Sequence, residues 1–263
     1  MNHALGRKLE YPNRLLQECP FCKEKQPILV KGVVCNPEQL NVRATVEDKG
    51  YSFCNCKNIL YTDWNNIEQS IYDKDYFDRY DKPEMDKYMD AVTFDYGNKL
   101  LSYNKKAKYI VEIGSINNYL LDFMERKGLV ALGIDINPFA DPRRRIQADI
   151  EDGVSLKKVL NPDLIYASHV WEHLHYPLNA LQNCYDILAK DGCMYIAMPD
   201  PFFINWYNVY DWGHWVIREH HIMWDMDSFI KEAEKIGFKC VEKRRNHVGQ
   251  YLCIKEFHII LQK

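Results

Sequence analysis

The chain has 263 residues, 47% apolar and 27% charged, which is the composition of a folded globular protein and leaves room for one sizeable α/β domain plus a small appendage. Its net charge of -3 and pI of about 6.3 argue against a nucleic-acid-binding surface, which is more often basic. Met1 to Glu10 hold no apolar core of signal-peptide length, and no run of 18 apolar residues occurs, so a cytoplasmic protein with no membrane span is expected.

Three textures follow one another along the chain. Residues 1–60 carry five of the nine cysteines and short β-like runs such as Ile28 to Val34, and read as a small module of their own. Residues 61–107 are polar and tyrosine-rich and read as a connector of helices and loops that covers the active site. Residues 108–263 alternate strand and helix patterns, as a parallel α/β sheet demands.

Within the last region, Tyr109 to Ile113 is a buried strand closed by Gly114, followed by a helix from about Asn117 to Lys127 that stops at Gly128. Leu129 to Ile134, Arg145 to Ala148 and Asp163 to Ala167 are the next three strands. Pro177 opens a helix with Leu178, Leu181, Tyr185 and Leu188 on one face. Cys193 to Met198 is the fifth strand. Met226, Phe229, Ile230, Ala233 and Ile236 recur at helical spacing up to Gly237. Phe238 to Glu242 and Cys253 to Leu261 complete about seven strands.

In an open parallel sheet, ligands sit beyond the carboxyl ends of the strands. Glu112, Asp135 and Asp149 all fall at such ends, on or after the first three strands of this region. A carboxylate at the second position suits the two hydroxyls of a ribose. One after the third suits an adenine amino group, with Ile136 and Ile150 flanking the ring. One acid alone is equally explained as a helix cap or a solvated strand end, but three in register are harder to dismiss.

Val111-Glu112-Ile113-Gly114, Gly133-Ile134-Asp135, Ala148-Asp149-Ile150, Val170-Trp171-Glu172-His173-Leu174 and Leu188-Ala189-Lys190-Asp191-Gly192 occur in this order. In these motifs residues 108–263 resemble the class I S-adenosylmethionine-dependent methyltransferases. The resemblance implies a Rossmann-like α/β fold of seven strands and S-adenosylmethionine as cofactor. It implies that Glu112 orients the glycine loop and that Gly114 lets backbone approach the methionine part. It also implies that Asp135 binds the ribose, that Asp149 contacts the adenine, and that His169 and the Glu172-His173 pair lie by the cofactor. One departure stands out. The family usually has Glu-x-Gly-x-Gly-x-Gly here, whereas Ile116 and Asn118 replace two of these glycines. Asparagine tolerates a left-handed backbone and isoleucine does not, so a differently shaped loop is expected.

Six of the nine histidines, His169, His173, His175, His214, His220 and His221, lie between 169 and 221. Imidazole is the natural general base near neutral pH. Glu219-His220-His221 resembles the Glu-His pair of zinc-ribbon-bearing sugar methyltransferases, which implies substrate binding and proton removal there, with His173 nearby. From Phe202 to Trp215, seven of fourteen residues are aromatic. Such a segment suits a lid, a wall for a sugar, or a cage for an ammonium group. The Arg143-Arg144-Arg145 cluster fits a substrate phosphate or a solvated patch.

Cys19-Pro20-Phe21-Cys22 is a knuckle of the zinc-ribbon type, with Cys54-Asn55-Cys56, one residue short, as its partner. Four thiolates close a tetrahedral structural zinc site, and Cys35 is a substitute ligand. The expected activity is therefore methyl transfer to oxygen or nitrogen of a small polar metabolite, such as a sugar or a phosphorylated building block for a surface polysaccharide. The alternatives are an amine N-methyltransferase with an aromatic cation cage and a non-catalytic methyltransferase-like binding protein. The expected partner is a small-molecule substrate, with neither membrane nor nucleic acid, and the sequence leaves the oligomeric state open.

Overall fold

The computed structural model describes residues 19, 21–23, 28–31, 50–54, 56–61, 83–137, 144–159, 161–201, 220–246 and 256–263. In chain order these form β1 (Ile28–Lys31), β2 (Gly50–Phe53), β3 (Ile59–Tyr61), α1 (Pro83–Tyr103), β4 (Tyr109–Ile113), α2 (Tyr119–Arg126), β5 (Val130–Asp135) and β6 (Arg145–Gln147). They continue as β7 (Leu164–Ser168), α3 (Pro177–Ile187), β8 (Cys193–Pro199), β9 (Ile222–Met223), α4 (Met226–Ile236), β10 (Lys239–Asn246) and β11 (Glu256–Gln262). The aromatic segment 202–215 with His214, and also Glu219, Cys35, Cys253 and Arg143, lie outside the described residues.

Seven strands share one sheet in the order β10-β11-β8-β7-β4-β5-β6. β4 pairs in parallel with β5 and β7, β5 with β6, and β7 with β8. β11 is antiparallel to both β8 and β10. The chain builds outward from β4 to β6, then returns to lay β7 on the other side of β4. The crevice at this reversal opens at the carboxyl ends of β4 and β7, where α/β sheets bind ligands. The seven-stranded Rossmann-like expectation is met.

Period-two alternation explains why helices cover both faces. Val111, Ile113, Ile165, Ala167, Ile196 and Ile259 point to one side, into a core shared with Ala180, Leu181 and Cys184 of α3 and Phe229 and Ala233 of α4. Ile110, Leu164, Tyr166, Tyr195 and Ile260 point to the other, against Tyr96 and Leu100 of α1 and Leu120, Leu121 and Met124 of α2. Burying each such aliphatic side chain contributes about 1.5–3 kcal/mol before chain entropy is counted.

The amino-terminal strands form a second sheet, β1-β2-β3-β9, whose last member comes from beyond β8 in the chain. Ile59 pairs with Met223 and Leu60 with Ile222. The Asn58 side chain extends this junction. Its Oδ1 accepts from Asp225 N at 2.8 Å, and its Nδ2 donates to Ser228 Oγ at 3.0 Å. Asp225 in turn caps α4, accepting from Ser228 N at 3.1 Å. Phe21 of the first cysteine knuckle packs at a tilt against Trp224, ring centroids 4.7 Å apart. β9 carries no length or periodicity signal, so nothing in its sequence marks it as a strand.

Candidate active site

The loop after β4 turns on a single left-handed residue, Gly114, at φ +71°. Among the described non-glycine residues with positive φ, none is Ser115, Ile116, Asn117 or Asn118. The loop therefore keeps the first glycine of the usual motif and needs none of the others, which is how Ile116 is accommodated. A Cβ on Gly114 would lie 2.6 Å from Val170 Cγ2, so the backbone here approaches the Val170–Leu174 segment after β7 closely. Gly114 N and Ser115 N both donate to Ile134 O, at 2.9 and 3.3 Å.

Buried side chains hold this loop. Ser115 Oγ donates to Glu112 Oε2 at 2.6 Å. Arg145, at the start of β6, donates from Nε to Ser115 O at 2.6 Å and from a guanidinium NH2 to Asn117 O. Gly133 makes room for this arrangement, because a Cβ there would meet Ser115 Oγ at 2.6 Å and Arg145 Cγ at 2.7 Å. Arg144 pairs with Asp122 at 2.5 Å and with Glu125 at 3.0 Å. Of the arginine cluster, the two described members thus serve the fold.

Glu112 and Asp135 are both buried, and burial raises both carboxyls. Glu112 reaches about 7, with Ser115 and Arg145 pulling the other way and the neighbouring Asp135 charge adding to the rise. Asp135 Oδ1 accepts from Asn137 N at 2.7 Å, which turns the chain just past β5. Asp149 is partly buried and its Oδ1 accepts from Glu151 N at 2.8 Å. Ile136 is 40% exposed and Ile116 39%, so both offer apolar surface at this edge. Ile150 instead packs in the core, and its carbonyl accepts from Asn183 Nδ2 at 2.8 Å.

At the end of β7 the geometry changes to imidazoles. His169 sits at φ +53° and is clamped, with Nδ1 3.1 Å from Glu172 Oε1 and Nε2 3.0 Å from Glu256 Oε2. Burial opposes its charge, but the two hydrogen-bonded carboxylates win and raise it to about 10. His169 is therefore an imidazolium near neutral pH and no candidate base. Tyr96 Oη donates to the other oxygen of Glu256. His258 Nε2 lies 3.3 Å from that oxygen, yet burial pushes this imidazole down to about 4.

The remaining histidines pair edge to face. His173 and His220 have ring centroids 4.6 Å apart, and His175 and His221 4.2 Å. His221 is 1% exposed, and burial together with the neighbouring histidines holds it well below the usual range. Its backbone N donates to Glu172 O at 2.6 Å, which fastens the segment before β9 to the turn after β7. Tyr96 and Glu256 carry no motif and escaped the sequence reading. Only the antiparallel return of β11 brings Glu256 to the ligand edge, opposite Pro199.

The four cysteines Cys19, Cys22, Cys54 and Cys56 converge, with their sulfur atoms within 4.8 Å of one another. Both knuckles turn through a left-handed lysine, Lys23 at φ 61° and Lys57 at φ 69°. Lys23 N closes on Cys19 O at 3.0 Å and Lys57 N on Cys54 O at 2.8 Å, so the second knuckle is the same kind of turn one residue shorter.

A family model described as a methyltransferase domain matches residues 85–243. The chain belongs to that methyltransferase family. Solved structures share the fold. One is a SAM-dependent methyltransferase from Archaeoglobus fulgidus, with 17% identity, TM-score 0.54, and 66% of this chain and 94% of that one covered. Another is the Burkholderia thailandensis 1,6-didemethyltoxoflavin-N1-methyltransferase, solved with its substrate and S-adenosylhomocysteine, with 11% identity, TM-score 0.58, and 81% and 98% covered. A third is the N-methyltransferase NodS from Bradyrhizobium japonicum WM9 with S-adenosylhomocysteine, with 16% identity, TM-score 0.51, and 76% and 97% covered. No curated protein sequence matches. The buried carboxylates, the close glycine turn and the exposed Ile116 and Ile136 suit a nucleoside methyl donor. Among the described residues, no helix is long and apolar enough to cross a membrane.

Proposed function

We propose that this methyltransferase moves the sulfonium methyl group of S-adenosylmethionine to an oxygen or nitrogen of a small polar metabolite, such as a sugar or phosphorylated building block for a surface polysaccharide. One observation carries the reading. Glu112 and Asp135 flank one side of the crevice, and the His173–His220 pair stands at the other, across the switch between β4 and β7. Asp135 binds the ribose hydroxyls, Asp149 the adenine amino group, and Gly114 admits the methionine end. Ile136 covers the ring, with Ile150 supporting it from the core. His169 lines the cofactor side.

The bound donor supplies an electrophilic methyl group, and the chain supplies position and a place for the acceptor's proton. His220, beside His173, is the favoured recipient. His221 is too deeply covered to reach an acceptor and is assigned the placement of His220, while Glu219 retains its proposed orienting role. The cysteine module binds structural zinc and helps to cover the acceptor.

The test is a screen of sugars, sugar phosphates and amines for formation of S-adenosylhomocysteine. The expected result is turnover of a hydroxylated or amino metabolite, reduced about 10²–10⁴-fold in His220→Ala with donor affinity nearly unchanged. Turnover only on nucleic acid or protein would overturn the substrate class.

A further inference from the structure

The cluster of Glu172, His173 and His220 has the chemistry of a second metal site. We infer that these three side chains bind one divalent transition-metal ion, of the zinc, iron(II), manganese or cobalt class, beside the acceptor. The inference deepens the reading of this edge given above. On that reading the His173–His220 pair would act on the acceptor's proton through the ion it holds, which makes a bound hydroxyl or amine more acidic.

The geometry supplies the first argument. One ligand atom from each residue lies within 4.8 Å of the other two. With metal–ligand distances of about 2.0–2.2 Å, two donors on one ion stand no more than roughly 4.4 Å apart. The observed separations therefore exceed that limit by roughly 0.4 Å at most. Glu172 and His173 are consecutive in the 3-10 turn Trp171–His173, and His220 stands just before β9. The two segments are fastened by His221 N to Glu172 O at 2.6 Å and by Trp224 Nε1 to Trp171 O at 3.4 Å.

The second argument is an unsatisfied atom. Glu172 is 1% exposed, and its Oε2 is buried with no hydrogen-bond partner among the described residues. A buried carboxylate oxygen without a donor is costly, and a cation removes that cost. The other oxygen, Oε1, faces His169 Nδ1, whose far nitrogen faces Glu256, which accepts from Tyr96. This is the outer shell that metal-binding carboxylates ordinarily have.

The donor set chooses the metal. Two imidazole nitrogens and one carboxylate oxygen suit borderline transition ions, whereas magnesium and calcium prefer all-oxygen sites. Three protein ligands also leave a position open, as in sites that take water or substrate. The open position would accept an oxygen or nitrogen of the methyl acceptor.

Cobalt(II) tests this directly on the full chain after stripping with chelator. Two equivalents are expected, one with sulfur-to-cobalt charge-transfer absorption from the cysteines and one with only weak visible bands. His173→Asn should abolish the second and leave the sulfur band. His169→Gln, which removes only the outer support, should weaken it about 10–100-fold. In the unmutated protein, cobalt should also shield His173 and His220 from diethyl pyrocarbonate, read by mass spectrometry. Absence of the sulfur-free equivalent in the unmutated protein overturns the proposal. So does its survival in a folded His173→Asn variant. If the sulfur band is missing but the other equivalent is present, only the zinc reading of the cysteines fails. Failure of S-adenosylhomocysteine to bind would count against the donor assignments and leave this site standing.

Discussion

Arg145 Nε donates to the carbonyl oxygen of Ser115 at 2.6 Å, tying the third parallel strand of the sheet to the turn after the first. Ser115 Oγ lies 3.2 Å from the same nitrogen and donates to Glu112, so one guanidinium fixes the turn and offsets the carboxylates beneath it. Arg145→Met should cost about 2–4 kcal/mol, since charged hydrogen bonds contribute about 1.5–3 kcal/mol and buried acids lose their cation. Urea denaturation measures it. A loss under 1 kcal/mol would mean that the turn is held by its backbone alone.

Gly114→Ala combines two penalties, a φ of +71° and a Cβ 2.6 Å from Val170 Cγ2. The left-handed backbone costs about 1–2 kcal/mol by itself. The single substitution should lower both stability and affinity for S-adenosylhomocysteine. Adding Val170→Ala should recover the steric part and leave the backbone part. Complete recovery in the double variant would remove backbone strain from the account.

Asp135→Ala should weaken S-adenosylhomocysteine binding by about 1.5–3 kcal/mol, the scale of hydrogen bonds to a charged group. Calorimetry reads it. An unchanged dissociation constant would place the ribose elsewhere.

Glu112 gives a pH dependence. Burial raises its folded pKa from 4.5 to about 7. A carboxyl raised in the folded state adds stability at low pH that is lost as pH climbs from 4.5 through 7. Glu112→Gln removes that loss, so the variant should fall less than the unmutated protein between pH 5 and 8, by up to about 1.4 kcal/mol per unit within the window. Parallel curves for the two proteins would show that Glu112 stays ionised throughout.

Protein purified without chelator should carry zinc at the cysteine cluster, lost when Cys19 and Cys22 are both changed to Ser. The Cys19 and Cys56 sulfurs lie 3.7 Å apart, near the roughly 3.8 Å edge of a tetrahedral thiolate site, and those of Cys22 and Cys54 lie closer, at 3.1 Å. Metal analysis that finds an unchanged zinc content in the double variant would end this assignment.

The central sheet was legible because both its faces are buried, and near-continuous apolar runs such as Tyr109–Ile113 and Cys193–Pro199 announce that directly. Helix α3 was equally plain from its Pro177 start, and α4 from its apolar stripe and the Gly237 stop. The acids Glu112, Asp135 and Asp149 were legible for a related reason, since strand ends fix where they stand. The imidazole side was only half legible. His173 and His220 could be named, but not their meeting, because it depends on contacts across 47 residues of chain. Glu256 was invisible. Its place at the crevice follows from an antiparallel return, and an isolated glutamate before an apolar run reads as a solvated strand end. Ile150 shows a further limit of the sequence. Its position after a strand fits a ligand wall, and only the structure shows its side chain packing in the core.

The shared ladder between β3 and β9 makes the amino-terminal module inseparable in assembly from the machinery beside it. A chain cut between β3 and α1 would still be held together by the Ile59–Met223 pairing, the Asn58 bonds to the start of α4, and Phe21 on Trp224. The two pieces would then behave as complementing halves. A chain shortened to begin at α1 would expose an unpaired strand edge two residues from His220 and uncover Trp224. Grafting the module of another methyltransferase onto this one would require matching its third strand to Ile222 and Met223, so β3 and β9 would have to be exchanged together.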